Sequence, residues 1–202
     1  MLNILLMDSN FYLKSGLSAL IFNQFTEAHK EEVLFLLPSE EKNRDIADII
    51  FRDDMVTIRI FNQRSICASH ESGREGDEGM TIHVPFITKN LTLDEISIKI
   101  GKIISIARAD YNLLVNREET YWNFGLKKYA QLSDTENDVM ILVGRGYDST
   151  DISRILNRSR KTISTHYRNA SRKMGAVNRA EFYRYASFIA NCRRDERNTL
   201  CL

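Results

Sequence analysis

Cysteine is scarce in this chain, and what there is does not pair. Cys67, Cys192 and Cys201 are odd in number and share no paired spacing, which argues against a disulfide framework or a cysteine-based zinc site and for a reducing cytoplasm. No apolar run reaches the roughly 18 residues of a membrane span. The N-terminus has no basic segment followed by a cleavable apolar stretch, so a soluble protein kept inside the cell is expected. The four histidines are scattered, and no nucleophile, base and orienter assemble by any recognisable motif. Neither a catalytic site, a metal nor a cofactor is therefore expected. The N-terminal half shows no glycine-rich phosphate loop and no arginine cluster.

A more local absence is more telling. From Arg154 to Ala180 there is no Asp or Glu, while eight cations stand there: Arg154, Arg158, Arg160, Lys161, Arg168, Arg172, Lys173 and Arg179. A solvated helix face normally mixes signs, so a run this one-sided asks for a polyanion. The net charge of +1 hides the asymmetry. Residues 1–131 hold 15 basic and 19 acidic side chains, a net of −4; residues 132–202 hold 13 and 8, a net of +5. Only the C-terminal part has the charge to meet a polyanion.

That stretch reads as two short helices around a tight polar turn, Asn157-Arg158-Ser159. Ile152, Ile155 and Leu156 make a core stripe on the first, with Asp151 and Arg154 pointing away. Ser159 caps the second, which runs from Arg160 to about Met174. Ile163, Tyr167, Ala170 and Met174 share its inner side, and Ser164, Arg168 and Arg172 its outer side. Upstream, Ser133 and Glu136 form a capping box that starts a helix carrying Val139, Met140, Leu142 and Val143, ended by Gly144 and Gly146. Gly175 ends the second helix, and Asn178 with Glu181 opens a last one bearing Phe182, Tyr183, Ala186 and Ile189.

The residues Leu132-Ser133, Glu136, Val139, Gly146, Ile152, Leu156, Ser159, Lys161-Thr162-Ile163, His166, Lys173-Met174-Gly175 and Asn178-Arg179-Ala180 resemble the LuxR/FixJ-type helix-turn-helix DNA-binding domain. Asp134 departs from that pattern, which often has proline there, and Tyr147 departs from its usual leucine. The resemblance implies an all-α four-helix domain, expected at 132–190, whose recognition helix enters the major groove. Ser164, Thr165 and Arg168 are then the expected base readers. Arg160, Lys161, Thr162 and Arg172 would hold phosphates, with Ser149 and Thr150 adding backbone N–H groups. One such domain covers a half-site, so a homodimer, or a heterodimer with another regulator, is implied. Tyr185 and Phe188 are its expected contacts.

Ahead of it, apolar runs alternate with helical periodicity. Leu2–Asp8, Glu32–Pro38, Met55–Phe61 and Met80–Ile87 read as strands, and Tyr12–Ile21, Glu41–Phe51 and Thr92 to about Leu113 as helices. Between them Ser65–Gly79 is a polar loop. The order predicts an α/β domain with a mostly parallel sheet over 1–113. With an acid, Asp8, closing its first strand, it resembles a response-regulator receiver. Departures fall where phosphorylation chemistry would occur: Ser9 follows Asp8 in place of a second acid, Pro38 and Ser39 close the second strand, and one βα unit is missing. Such a site lacks a hard oxygen ligand for Mg²⁺ and an acceptor. A degenerate receiver on this DNA-binding domain resembles the atypical regulators of capsule and fimbrial genes in enteric bacteria. The expected function is a DNA-binding transcription regulator whose receiver-like domain is not phosphorylated and serves dimerisation, partner binding or sensing. Two alternatives stand beside it. In another register "DIIFRDD" is the acceptor strand with Asp53 as acceptor and Lys89 as the receiver's lysine, or the domain senses a small nucleotide. Residues 114–131 are expected to link the domains, with Trp122 packed at the junction, and 191–202 to be a polar, fraying tail.

Overall fold

The computed structural model describes residues 1–8, 10–25, 33–61 and 79–202. Ser9, Cys67 and nearly all of the expected Ser65–Gly79 loop lie outside them. Leu2–Leu6 forms β1, in which Ile4 and Leu5 lose all contact with solvent. A strand covered on both faces has no polar side, which is why its sequence is continuously apolar. The Asn10 side chain accepts from the Tyr12 and Leu13 N–H groups and starts α1, Phe11–Asn23. Val33–Leu36, β2, lies parallel to β1.

The run expected as a single helix over Glu41–Phe51 divides. Lys42–Ile46 is a short helix, α2, and Ile49–Arg52 is a strand, β3, parallel to β1 on its other side. Ile49 and Phe51 enter the main core while Ile50, between them, enters a second one with Leu5 and Ala47. That two-sided burial suits a period of two and not a helix. Asp53, at a positive φ of 52°, and Asp54 then turn the chain straight into β4, Met55–Phe61, as an antiparallel two-residue hairpin. Gly79–Pro85, β5, pairs antiparallel with β4. The sheet order is β2-β1-β3-β4-β5-β6, so it is parallel through its first three strands and mixed beyond the hairpin.

Thr92 and Glu95 make a capping box for α3, Leu93–Ala107, which buries Ile100, Ile103, Ile104 and Ile106 against the sheet. The long helix expected to continue to Leu113 stops there. Asp110 caps a separate α4, Tyr111–Val115, followed by α5, Arg117–Asn123, and a turn at Lys128–Ala130. The expected linker is therefore folded, and Tyr121, Phe124 and Leu126 pack on the N-terminal core. Trp122 does not; it is 86% exposed, because Tyr121 and Phe124 take the inward positions.

The C-terminal unit contains α6 (Asp134–Gly144), α7 (Ser149–Ile155), α8 (Arg160–Lys173) and α9 (Arg179–Asn191). Met140, Ala170, Met174, Phe182 and Ala186 form its centre. Gly144 marks the closest approach of α6 to α9: a Cβ there would sit 2.1 Å from the Ala186 carbonyl oxygen. The tail does not fray. Asn198–Thr199 adds β6 beside β5, the Leu200 N–H donates to the His83 carbonyl, and Leu200 and Cys201 are buried. The Gln131 amide brackets Cys201, donating to its carbonyl at 2.7 Å and accepting from its N–H at 2.9 Å. Polar composition concealed an apolar Leu-Cys-Leu end that fills the seam between the two units.

At that seam α9 lies against β5. The Tyr185 hydroxyl donates to the His83 carbonyl at 3.3 Å, and the Phe188 ring meets the His83 imidazole edge-on at 5.2 Å. Tyr185 and Phe188 were expected to face a second subunit; they are instead committed to the sheet of their own chain. His83 is 2% exposed with its Nδ1 3.1 Å from the Thr57 hydroxyl. Burial pushes its pKa down to about 4, with the Arg59 charge acting in the same direction and a hydrogen bond to the Glu196 backbone opposing. Unfolding releases it to its ordinary value of 6.5, so between these two pH values the unfolded chain binds more protons. This contribution is complete above pH 6.5 and is lost as pH falls toward 4. Urea titrations across that window are expected to show His83→Gln losing up to about 3 kcal/mol less than the parent chain; parallel curves would mean His83 titrates normally.

Candidate nucleic-acid interface

The turn between α7 and α8 is set by local chemistry. Leu156 ends α7, Asn157 takes a left-handed φ of 48°, and the Arg158 N–H reaches back to the Ser153 carbonyl at 3.0 Å. An asparagine tolerates that conformation better than most residues. Ser159 then caps α8, accepting from the Thr162 N–H at 3.1 Å. Ile163 and Ala170 are buried on its inner side, and Tyr167 packs on Phe182 with ring centroids 4.6 Å apart. Met174 and Gly175, at a φ of 73°, close the helix.

Its other side faces solvent. Arg160, Lys161, Ser164, Thr165, Arg168 and Arg172 are all exposed, and the N-terminal sheet touches α9 and leaves this face uncovered. The Thr165 hydroxyl donates to the Lys161 carbonyl at 3.0 Å and Arg168 Nε donates to the Ser164 carbonyl at 3.2 Å, which holds both side chains along the helix. Seven of the eight cations between Arg154 and Ala180 are exposed. Acids near them are few: Asp151 pairs with Arg154 at 3.7 Å.

The structure narrows the expected contacts in several places. The Thr150 N–H is occupied: the Asp148 carboxylate accepts from it at 2.7 Å and from the Asp151 N–H at 2.9 Å, and these bonds hold the Asp148 pKa below its usual value. A capped, acid-bearing N-terminus is a poor phosphate seat, which leaves the exposed Ser149 a lesser contact. Thr162 is half-buried and its hydroxyl lies 2.9 Å from that of Ser159. Ile155, expected inside, is 52% exposed.

Lys173, the eighth cation, belongs to the interior. Its side chain is 16% exposed and its ammonium donates to the Glu136 carboxylate and the Gln131 carbonyl, both at 2.7 Å. Burial alone would raise the Glu136 pKa, but Lys173 and the Ser133 N–H outweigh it and leave it lowered. The acid of the capping box thus also anchors the end of α8 to the start of α6. No sequence signal separates this lysine from its outward neighbours except its place one residue before the buried Met174. Breaking a buried pair by removing one partner typically costs about 3 kcal/mol or more. Lys173→Met is expected to lower the urea midpoint by a corresponding amount while leaving the salt dependence of DNA binding unchanged. A shallower salt slope would place Lys173 on the DNA face after all.

Comparison with known proteins bears on this geometry. Residues 130–186 match the family described as bacterial regulatory proteins, luxR family. No curated protein matches the chain. A solved structure described as "Conformational dynamism for DNA interaction in Salmonella typhimurium RcsB response regulator" is 17% identical, covering 93% of this chain and 100% of that one, at a TM-score of 0.29. So loose a superposition says nothing about the fold. The matched segment spans α6, α7, α8 and the first half of α9, including both helices of the turn and the exposed cationic face. Over residues 130–186, just over a quarter of its length, the chain is similar to the luxR family of bacterial regulatory proteins.

Proposed function

We propose that the chain is a transcription regulator that binds double-stranded DNA in a sequence-specific manner through α8. The supporting observation is the outer face of that helix, where four exposed cations, Arg160, Lys161, Arg168 and Arg172, accompany the two exposed hydroxyl residues Ser164 and Thr165. A cylinder of this size fits the major groove. Arg168 pairs with a guanine edge, and Ser164 and Thr165 read beside it, the threonine through its methyl group. Arg160, Lys161 and Arg172 neutralise phosphates and set the register, with Ser149 as a lesser contact. The protein acts as a dimer, with itself or another regulator, on a two-part site. Since Tyr185 and Phe188 pack on β5, the dimer contact in this conformation lies elsewhere, and the N-terminal domain supplies it. Among the described residues no helix is long and apolar enough to cross a membrane.

Arg168→Ala is expected to cost about 1–3 kcal/mol on the preferred duplex and little on random sequence. Lys161→Ala should weaken both alike and lower the salt slope by about one. Gel-shift titrations at several salt concentrations distinguish them, and equal losses for Arg168→Ala on both duplexes would remove it from the readers.

A second reading gains a specific observation. The strand ending at Arg52 is the one the alternative register required, and Asp8, Asp53, Asp54, Thr88 and Lys89 line one cavity of about 230 Å³ at the strand ends. That cavity is the place for an aspartyl phosphate on Asp53. Against it, Lys89 is held by Glu181 and Asp54 by Arg184, each at 2.7 Å. The unphosphorylated reading therefore leads. After incubation with acetyl phosphate and Mg²⁺, intact mass is expected to be unchanged; an adduct abolished by Asp53→Ala would reverse that order.

A further inference from the structure

The hairpin that replaces a crossover between β3 and β4 leaves part of one sheet face with an unusual lining. On β4, Val56, Ile58 and Ile60 enter the main core, so Thr57 and Arg59 point to the opposite face. The β4–β5 register sets Thr57 beside His83 and Arg59 beside Thr81. Arg52, at the end of β3, and Arg44, on α2, reach the same place, and together these side chains line a cavity of about 200 Å³. Glu196 is the one acid among its described lining residues. Met55 and Phe188 give it an apolar side.

The three guanidiniums come from three elements and are brought together by the fold. Arg59 donates to the Arg44 backbone carbonyl, which holds the two residues side by side. Among the described residues neither forms an ion pair, and Arg52 has only a 3.9 Å contact with Asp53 between exposed groups. Three like charges gathered around a concave surface repel one another unless an anion is shared among them. Guanidiniums offer paired N–H donors that match phosphoryl oxygens, and the Thr81 hydroxyl is a further donor for the same anion. Burial accounts for most of the lowering of the His83 pKa, and the Arg59 charge adds to it in the same direction.

We propose that Arg44, Arg52 and Arg59 form a binding site for the phosphoryl group of a small metabolite, whose body lies against Met55 and Phe188. The cavity volume admits a phosphate ester with a small body and is too small for a dinucleotide. Because Phe188 belongs to α9 and Cys192 ends it, an occupant touches the DNA-binding unit as well as the sheet.

The test is calorimetry on the full chain, without DNA, at constant ionic strength in chloride. Inorganic phosphate, ribose 5-phosphate and adenosine monophosphate are titrated separately. Binding is expected to weaken about tenfold in Arg44→Gln and again in Arg59→Gln, from the loss of a charge-assisted hydrogen bond in each. Arg44 is exposed, so its variant folds even if Arg59→Gln does not. Lys161→Gln, on α8, should bind all three ligands as the parent does. Tighter binding of an ester than of inorganic phosphate identifies a metabolite as occupant. Equal binding of all three would reduce the site to one for free phosphate and overturn the metabolite. Absence of binding, or a loss in Lys161→Gln matched by none in Arg44→Gln, would overturn the site itself. Neither of these last results touches the DNA reading, which has its own variants.

Discussion

The docking of α9 onto β5 is the contact on which the arrangement depends. One side of α9 fills the helical core with Phe182, Ala186 and Ile189, and the adjoining side carries Tyr185 and Phe188 to the backbone and ring of His83. A single helix thus has two partners, and the aromatic residues that would otherwise be sticky surface are used inside the chain. Geometry does the rest. With α9 inside, α8 is left on the outside, its inner stripe satisfied and its cations in water. The tail seals the same seam, since β6 pairs with β5 and Cys201 is held by Gln131 just ahead of α6.

Local signals were legible in the sequence. Both capping boxes and the Asn10, Asp110, Ser159 and Asn178 caps depend on residues within a turn of one another, and three of these starts, at Ser133, Ser159 and Asn178, were expected from single residues or short spacings. The helical unit was therefore readable nearly residue by residue. Errors arose where period and partner must be known together. In "DIADIIF" the apolar positions suit a helix stripe as well as a doubly buried strand, and only pairing with β1 decides between them. The tail was misread for a related reason: composition cannot announce a strand whose partner lies more than a hundred residues away. Trp122 and Ile155 show the reverse failure, large apolar side chains assigned to a core that their neighbours had already filled.

Charge tells a similar story. Lys173 sits amid seven outward cations, yet it is the internal partner of Glu136. Arg44, Arg52 and Arg59 are spaced too widely to look like a cluster and become one only when α2, β3 and β4 meet. Sequence proximity overstated one set and concealed the other. In both cases the deciding quantity is how far an arginine or lysine is from an acid in space, and a linear count does not contain it.

The opposite net charges of the two halves raise a physical question: why does the basic helix not close onto the acidic domain? The seam supplies the answer, because α9 presents both signs there. Its Glu181 takes Lys89 and its Arg184 takes Asp54, so the pairing at the strand ends is already complete without any residue of α8. The Arg184–Asp54 pair lies near solvent and adds little stability, whereas Lys89 reaches from solvent to a buried Glu181; both set orientation. Shape excludes closure as well, since α8 lies across the helical unit from β5 with its buried stripe facing Phe182. Among the described residues the positive field of α8 thus remains unneutralised. A polyanion from outside meets a surface for which none of those residues competes.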